Sequence, residues 1–109
     1  MIESEQKAKN ILEKLGFEKI EGNKEKLQVE GASDLVATYQ GRECVIEVKS
    51  VKTGGITKND PRPTATLKRH QMCKMAEDKQ EGKRAFVFYL DDEGRYFLFE
   101  LKNSYLKKE

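Results

Sequence analysis

The sequence is poor in the residues and patterns that build thiol-based, metal–thiolate and membrane-spanning structures. Among its 109 residues there are two cysteines and one histidine. The cysteines, Cys44 and Cys73, form no zinc-binding pattern, and nothing in them indicates an oxidising compartment. No apolar run approaches the roughly 20 residues that span a bilayer, and the N-terminal MIESEQKAKN lacks the apolar stretch of a secretory signal. We therefore expect a cytoplasmic protein without a membrane partner.

The composition nevertheless predicts a folded chain. Charged residues make up 37% of the sequence and the mean hydropathy is −0.80, but β-branched and aromatic runs are present, which disordered segments lack. The length suits a single domain with one modest core. We see no internal repeat or boundary, and we expect one domain over residues 1–109.

The charge of the chain is unevenly distributed. From residue 49 to residue 74 seven basic residues stand against one acid, which gives this segment a net charge of +6 and leaves −4 for the rest of a chain of net charge +2. A basic segment attracts polyanions such as nucleic acid; a basic surface that is merely solvated is the alternative. The residues that we expect to contact nucleic acid are Lys52, Lys58, Arg62, Lys68 and Arg69.

Hydrophobic periodicity predicts the order helix, three strands, helix, two strands. This order is typical of an α/β fold with a central mixed sheet of about five strands flanked by helices. Residues 51–63, with two glycines and two prolines, are predicted to be an irregular loop. The predicted elements are a helix at 3–15, a strand at 17–21 with a short continuation at 27–30, hairpin strands at 35–39 and 44–48, a helix at 64–80, and strands at 84–90 and 95–101.

The predicted hairpin brings two acidic side chains together. If Gln40 and Gly41 form its turn, the register places Asp34 directly opposite Glu47, where side chains lie roughly 5 Å apart and like charges destabilise a sheet. A divalent cation between the carboxylates removes this cost, because Mg²⁺ takes hard oxygen ligands. Lys49 lies two residues after Glu47 and therefore on the same face. The pattern predicts a metal site with an amine beside it.

An Asp that opens one strand, followed by Glu-x-Lys on the next, resembles the PD-(D/E)xK nuclease superfamily, which includes restriction endonucleases and archaeal Holliday-junction resolvases. The resemblance covers residues 3–90, and Ser33 stands where the superfamily usually has proline. It implies a restriction-endonuclease-like core and a Mg²⁺ site, with Mn²⁺ substituting, formed by Asp34, Glu47 and the backbone carbonyl of Val48. In that reading Lys49 positions the attacking water.

Two further residues match resolvase-like members of this superfamily. Glu5 extends the apolar stripe of the first helix toward its N-terminus, where a carboxylate either reaches the metal or only complements the helix dipole. Gln71 is a polar residue on the apolar face of the second helix; it either orients Lys49 or a phosphate, or bonds to backbone at the edge of the core. His70 points away from that stripe, and we interpret it as exposed.

The resemblance implies a Mg²⁺-dependent endodeoxyribonuclease, closest to the resolvases, that acts on branched or duplex DNA and uses no nucleotide cofactor. The small size favours structure-selective cutting, and junction resolution would require a homodimer because two strands are cut symmetrically. One alternative is a repair, restriction or phage DNA-processing nuclease of the same superfamily. The other is a non-catalytic nucleic-acid-binding module. RNA as the substrate stays open.

Overall fold

A computed structural model describes residues 1–52 and 67–101 of the chain. Its order of elements agrees with the predicted order. The helices are α1 (Glu3–Lys14) and α2 (Arg69–Gln80), a short 3₁₀ helix covers Lys24–Leu27, and the strands are β1 (Glu18–Gly22), β2 (Leu35–Tyr39), β3 (Arg42–Val51), β4 (Arg84–Asp91) and β5 (Tyr96–Glu100).

The five strands form one mixed sheet in the order β1-β2-β3-β4-β5. Strands β3 and β4 are parallel, whereas the other neighbours are antiparallel. A parallel pair needs a long crossover connection, and α2 lies in the segment between β3 and β4. Strand β4 is buried along almost its whole length, as its continuous apolar run predicted, and β5 lies at the edge of the sheet. The predicted α/β fold with a mixed sheet is confirmed.

The two helices cover opposite faces of the sheet. Side chains of a strand alternate between faces, and here they divide into two buried clusters. Helix α1 contributes Leu12 to one cluster, and α2 contributes Met75 to the other. Val45 of β3 belongs to the α2 cluster, so Glu47 and Lys49, which have the same parity along the strand, face α2.

The turn between β2 and β3 fixes the register that matters for function. Gln40 and Gly41 both have positive φ, at 52° and 79°, which is the mirror-image turn that suits a two-residue hairpin. Pairing runs from Tyr39 with Arg42 to Leu35 with Ile46. The predicted register is therefore confirmed, and one more step places Asp34 opposite Glu47.

One predicted strand was wrong. Residues 27–30 form no strand: the 3₁₀ helix ends at Leu27, which is 95% exposed, and residues 28–30 are exposed as well, so no side of this segment packs into the core. The second predicted helix is confirmed up to Gln80, but it begins at Arg69 rather than at residue 64. The predicted loop falls mostly outside the described residues, and its first residue, Val51, ends β3. No helix in the described part of the chain has the length and apolarity to cross a membrane.

Candidate active site

Asp34 is held at the start of β2 by contacts on two sides. Its backbone carbonyl accepts a hydrogen bond from the Asn23 N–H, 3.0 Å away, which continues the pairing of β1 with β2. Its side-chain Oδ2 accepts a hydrogen bond from the Val48 N–H of β3 at 2.9 Å. The Asp34 residue is buried. Because Oδ2 is engaged by the Val48 N–H, Oδ1 is the oxygen that is left for other contacts on the α2 face.

Glu47 is the most deeply buried carboxylate of the predicted set, with 3% of the residue exposed. Its Oε2 accepts a hydrogen bond from Gln71 Nε2 at 2.9 Å, whereas its Oε1 is buried without a hydrogen-bond partner among the described residues. Burial, followed by the neighbouring charge of Asp34, raises the pKa of Glu47 to about 7, although Lys26 and Lys49 oppose the rise. The fold thus confines a carboxylate where its charged form is costly.

Gln71 connects the start of α2 to both side chains of the Glu-x-Lys motif. Its Oε1 accepts hydrogen bonds from Lys49 Nζ and from the Lys68 N–H, both at 3.0 Å. Lys49 Nζ also lies 4.0 Å from Glu47 Oε2. Because the amide oxygen faces the lysine and the amide nitrogen faces the glutamate, Gln71 fixes the orientation of both.

Lys26 is a site residue that sequence reasoning missed. It extends from the 3₁₀ helix, and its Nζ forms an ion pair with Asp34 Oδ1. Partial burial lowers the pKa of Lys26, but the hydrogen bond with Asp34 and the charges of Asp34, Glu47 and Glu5 outweigh this and raise it. Lys26 and Asp34 lie in different elements, one in the 3₁₀ helix and the other just before β2, so no single strand or helix period relates them. The available signal was Asn23, whose Oδ1 accepts from the Glu25 N–H and caps this turn.

Glu5 lies in the first turn of α1, and its Oε1 accepts from the Ile2 N–H at 3.4 Å. Its charge contributes to the raised pKa of Lys26. Among residues 1–52 and 67–101, however, no three acidic, histidine or cysteine side chains cluster at metal-ligand spacing. The observed contact of Glu5 is therefore with the N-terminus of its own helix. A role of Glu5 in binding a metal stays a prediction.

The predicted nucleic-acid-binding residues are only partly described. Lys52, Lys68 and Arg69 are exposed, Lys52 directly after β3 and the other two at the start of α2. Gln71, in the same turn of α2, touches the carboxylate site, so Lys68 and Arg69 flank it. Lys58 and Arg62 lie outside the described residues. His70 is exposed, as predicted.

The donor set fits a hard divalent cation in part. Asp34 and Glu47 supply carboxylate oxygens, which Mg²⁺ prefers, and within residues 1–52 and 67–101 the buried Glu47 Oε1 has no hydrogen-bond partner, a place that a cation could take. The Val48 N–H is engaged by Asp34, and the Val48 carbonyl as a ligand stays a prediction. Two carboxylates with one buried oxygen unsatisfied are an arrangement that a cation stabilises and that burial alone does not explain.

No protein-family model matches the sequence, and no curated protein sequence matches it. The fold, in contrast, is similar to that of Hjc from Archaeoglobus fulgidus, a Holliday junction resolvase from an archaeal hyperthermophile whose structure is known at 1.6 Å resolution. The TM-score is 0.65 at 17% sequence identity, and the match covers 94% of this chain and 79% of that one. The restriction-endonuclease-like fold that the motif implied is therefore confirmed by structural similarity.

Proposed function

We propose that this protein is a metal-dependent endonuclease that hydrolyses phosphodiester bonds of DNA, with a preference for branched substrates such as the Holliday junction. The observation that carries the proposal is the arrangement around β3: buried Glu47 opposite Asp34, with Lys49 and Gln71 hydrogen-bonded beside them. The fold shared with a resolvase supports the same conclusion.

Asp34 and Glu47 would hold Mg²⁺, with Mn²⁺ substituting, and the carbonyl of Val48 is proposed as a third ligand. Such a cation stabilises charge on the phosphoryl oxygens and lowers the pKa of water. Each carboxylate already has one oxygen fixed, Asp34 Oδ2 by Val48 and Glu47 Oε2 by Gln71. Glu47 Oε1, which has no hydrogen-bond partner among the described residues, and Asp34 Oδ1, which is paired with Lys26, are the oxygens that would be left to bind a cation.

Lys49 supplies a positive charge and hydrogen-bond donors beside these carboxylates. Gln71 Oε1 accepts one hydrogen bond from its ammonium group, and this contact fixes where the ammonium group lies. We propose that its other donors bind a phosphate oxygen or orient the attacking water. Gln71 acts through Lys49 and Glu47 and is therefore proposed as a positioning residue.

DNA binding is assigned to basic residues that flank the site. Lys52, Lys68 and Arg69 are exposed next to it, and Lys58 and Arg62 lie in the intervening sequence. Contacts of this kind neutralise phosphates and release counterions, so binding should weaken steeply with salt. Symmetric cutting of a four-way junction requires two active sites, and we propose that the functional unit is a homodimer.

The test compares cleavage of a labelled four-way junction and of a linear duplex with the same sequence, by the wild type and by Glu47→Gln. Both would be assayed with Mg²⁺, with Mn²⁺ and with EDTA. We expect paired cuts in the junction that need a divalent cation and fall about 100-fold or more in the variant, because a charged ligand is lost. Glu43→Gln is the matched control, since Glu43 is exposed on the same strand and its removal should leave cleavage unchanged.

Three outcomes separate the proposal from its alternatives. Equal cutting of junction and duplex would keep the nuclease and remove the junction preference. Cleavage that persists in EDTA or in Glu47→Gln would refute the assigned site. Binding of DNA without cleavage of either substrate under any of the metal conditions would favour a non-catalytic binding module instead.

A further inference from the structure

Lys26 is paired with the oxygen of Asp34 that accepts no backbone hydrogen bond from the described residues. The Oδ2 atom accepts the Val48 N–H, and Oδ1 forms the ion pair with Lys26 Nζ. A cation held by Asp34 and Glu47 needs an oxygen from each, and Asp34 Oδ2 is already engaged by a backbone N–H. A cation that binds through Oδ1 would therefore meet the Lys26 ammonium group at the same atom.

We propose that Lys26 and the divalent cation compete for Asp34, so that Lys26 serves as an exchangeable counter-ion which must leave before the metal binds. This inference rests on the proposed function, because it assumes that Asp34 and Glu47 form the metal site. Its physical basis is charge: Asp34 and Glu47 are 9% and 3% exposed, and two buried carboxylates need a nearby positive charge. Both Lys26 and a divalent cation provide it, and like charges exclude each other from one oxygen.

The surroundings of Lys26 allow its side chain to move while the backbone stays in place. The side chain is 43% exposed, and none of the residues of its 3₁₀ helix is buried. The adjacent Glu25 is tied to α2 through an ion pair with Lys74 at 3.2 Å. Exchange therefore needs only a rotation of the flexible lysine side chain into solvent, at the cost of one partly exposed ion pair.

The experiment measures Mn²⁺ affinity by electron paramagnetic resonance of the free ion in the wild type and in four variants: Lys26→Met, Lys26→Arg, Lys24→Met and Asp34→Asn. A partly exposed ion pair contributes up to about 1 kcal/mol, so Lys26→Met should bind Mn²⁺ about fivefold more tightly. Lys24→Met removes the same charge from the same 3₁₀ helix at an exposed position, and its affinity should stay within about twofold of the wild type. Lys26→Arg keeps the ion pair and should also resemble the wild type.

Thermal stability gives a second readout that does not depend on catalysis. In EDTA, Lys26→Met should melt below the wild type because the carboxylates lose their counter-ion, and Mn²⁺ should raise its melting temperature by more than it raises that of the wild type. If Asp34→Asn loses Mn²⁺ binding while Lys26→Met binds as the wild type does, the competition is refuted and the metal site stands. If neither the wild type nor Lys26→Met binds Mn²⁺, both the competition and the proposed metal site are refuted.

Discussion

Replacing Glu47 with glutamine should stabilise the metal-free protein at alkaline pH while it removes activity. Burial and the charge of Asp34 raise the pKa of Glu47 from an ordinary 4.5 to about 7. Each pH unit of this interval corresponds to about 1.4 kcal/mol, so ionised Glu47 destabilises the fold by an amount on the order of 3 kcal/mol. The expected gain is thus a sizeable fraction of the roughly 5–15 kcal/mol by which a folded domain is stable.

The geometry of the site accommodates the amide. The glutamine oxygen can take the place of Glu47 Oε2 and keep the hydrogen bond from Gln71 Nε2. The amide nitrogen then takes the place of the buried Oε1, which has no hydrogen-bond partner among the described residues. Residue 47 lies opposite Asp34, so the new N–H donors are close to the Asp34 carboxylate. A repulsion between like charges becomes an attraction, because an N–H donor now faces a carboxylate.

The pH dependence has a definite sign. Below pH 4.5 Glu47 is protonated in both the folded and the unfolded state, and the two proteins should be equally stable. As the pH rises from 4.5 to about 7, the unfolded state loses this proton first, so the wild type becomes less stable relative to Glu47→Gln. Above about 7 the difference is constant and complete.

The assay is urea and thermal unfolding in EDTA from pH 4 to pH 8.5, with Glu43→Gln as the exposed control on the same strand. At about 4 °C per kcal/mol for a domain near 100 residues, the melting temperature of Glu47→Gln at pH 8 should exceed that of the wild type by an amount on the order of 10 °C. Adding Mg²⁺ should narrow the gap, because the wild type binds it more tightly. A variant that is less stable than the wild type at pH 8, or a difference that does not vary with pH, would refute this account of Glu47.

Two further substitutions test how α2 is positioned over the site. Gly31→Ala should destabilise the protein by about 2 kcal/mol or more in urea unfolding. A Cβ at this position would lie 2.2 Å from the His70 carbonyl oxygen, and the backbone has a φ of +83°. Gly41→Ala is the control: its φ is +79° with no atom within 4 Å of the added Cβ, so it carries the backbone strain alone and should cost less. Lys74→Met should cost about 1.5 to 3 kcal/mol, because it removes the charged hydrogen-bond donor 2.9 Å from Asp78, which is 1% exposed, and leaves Asp78 with the more distant Lys83 Nζ at 3.9 Å. The double variant Lys74→Met/Asp78→Leu should recover most of that loss, and equal costs for the single and double variants would contradict the reasoning.

The parts of the fold that the sequence predicts are those fixed by local rules. Alternation along β2 and β3 and the Gln40-Gly41 turn define the hairpin register without reference to the rest of the chain. The continuous apolar run of β4 predicts a central strand for the same reason, since only a strand buried on both faces can be apolar throughout.

The errors fall where tertiary contacts decide. Leu27 and Val29 favour a strand by composition, yet they are 95% and 37% exposed and pair with none of the described strands, and Asn23 starts a 3₁₀ helix instead. The start of α2 depends on Gln71, whose side chain accepts the Lys68 N–H while it also contacts β3. Because the Gln71 side chain accepts the N–H of the N-cap residue Lys68, the helix begins directly after Lys68. This constraint is visible only once the helix is placed on the sheet.

The site shows the same division between local and tertiary information. Glu47 and Lys49 follow from strand alternation, and Asp34 follows from the hairpin register, although their chemical roles remain predictions. Burying Asp34 and Glu47 together demands more positive charge than Lys49 alone supplies, since an unpaired buried carboxylate is unfavourable. From the sequence, a divalent metal is the predicted source of that charge, and it stays a prediction. The structure adds Lys26, which pairs with Asp34 from a 3₁₀ helix that the sequence did not predict.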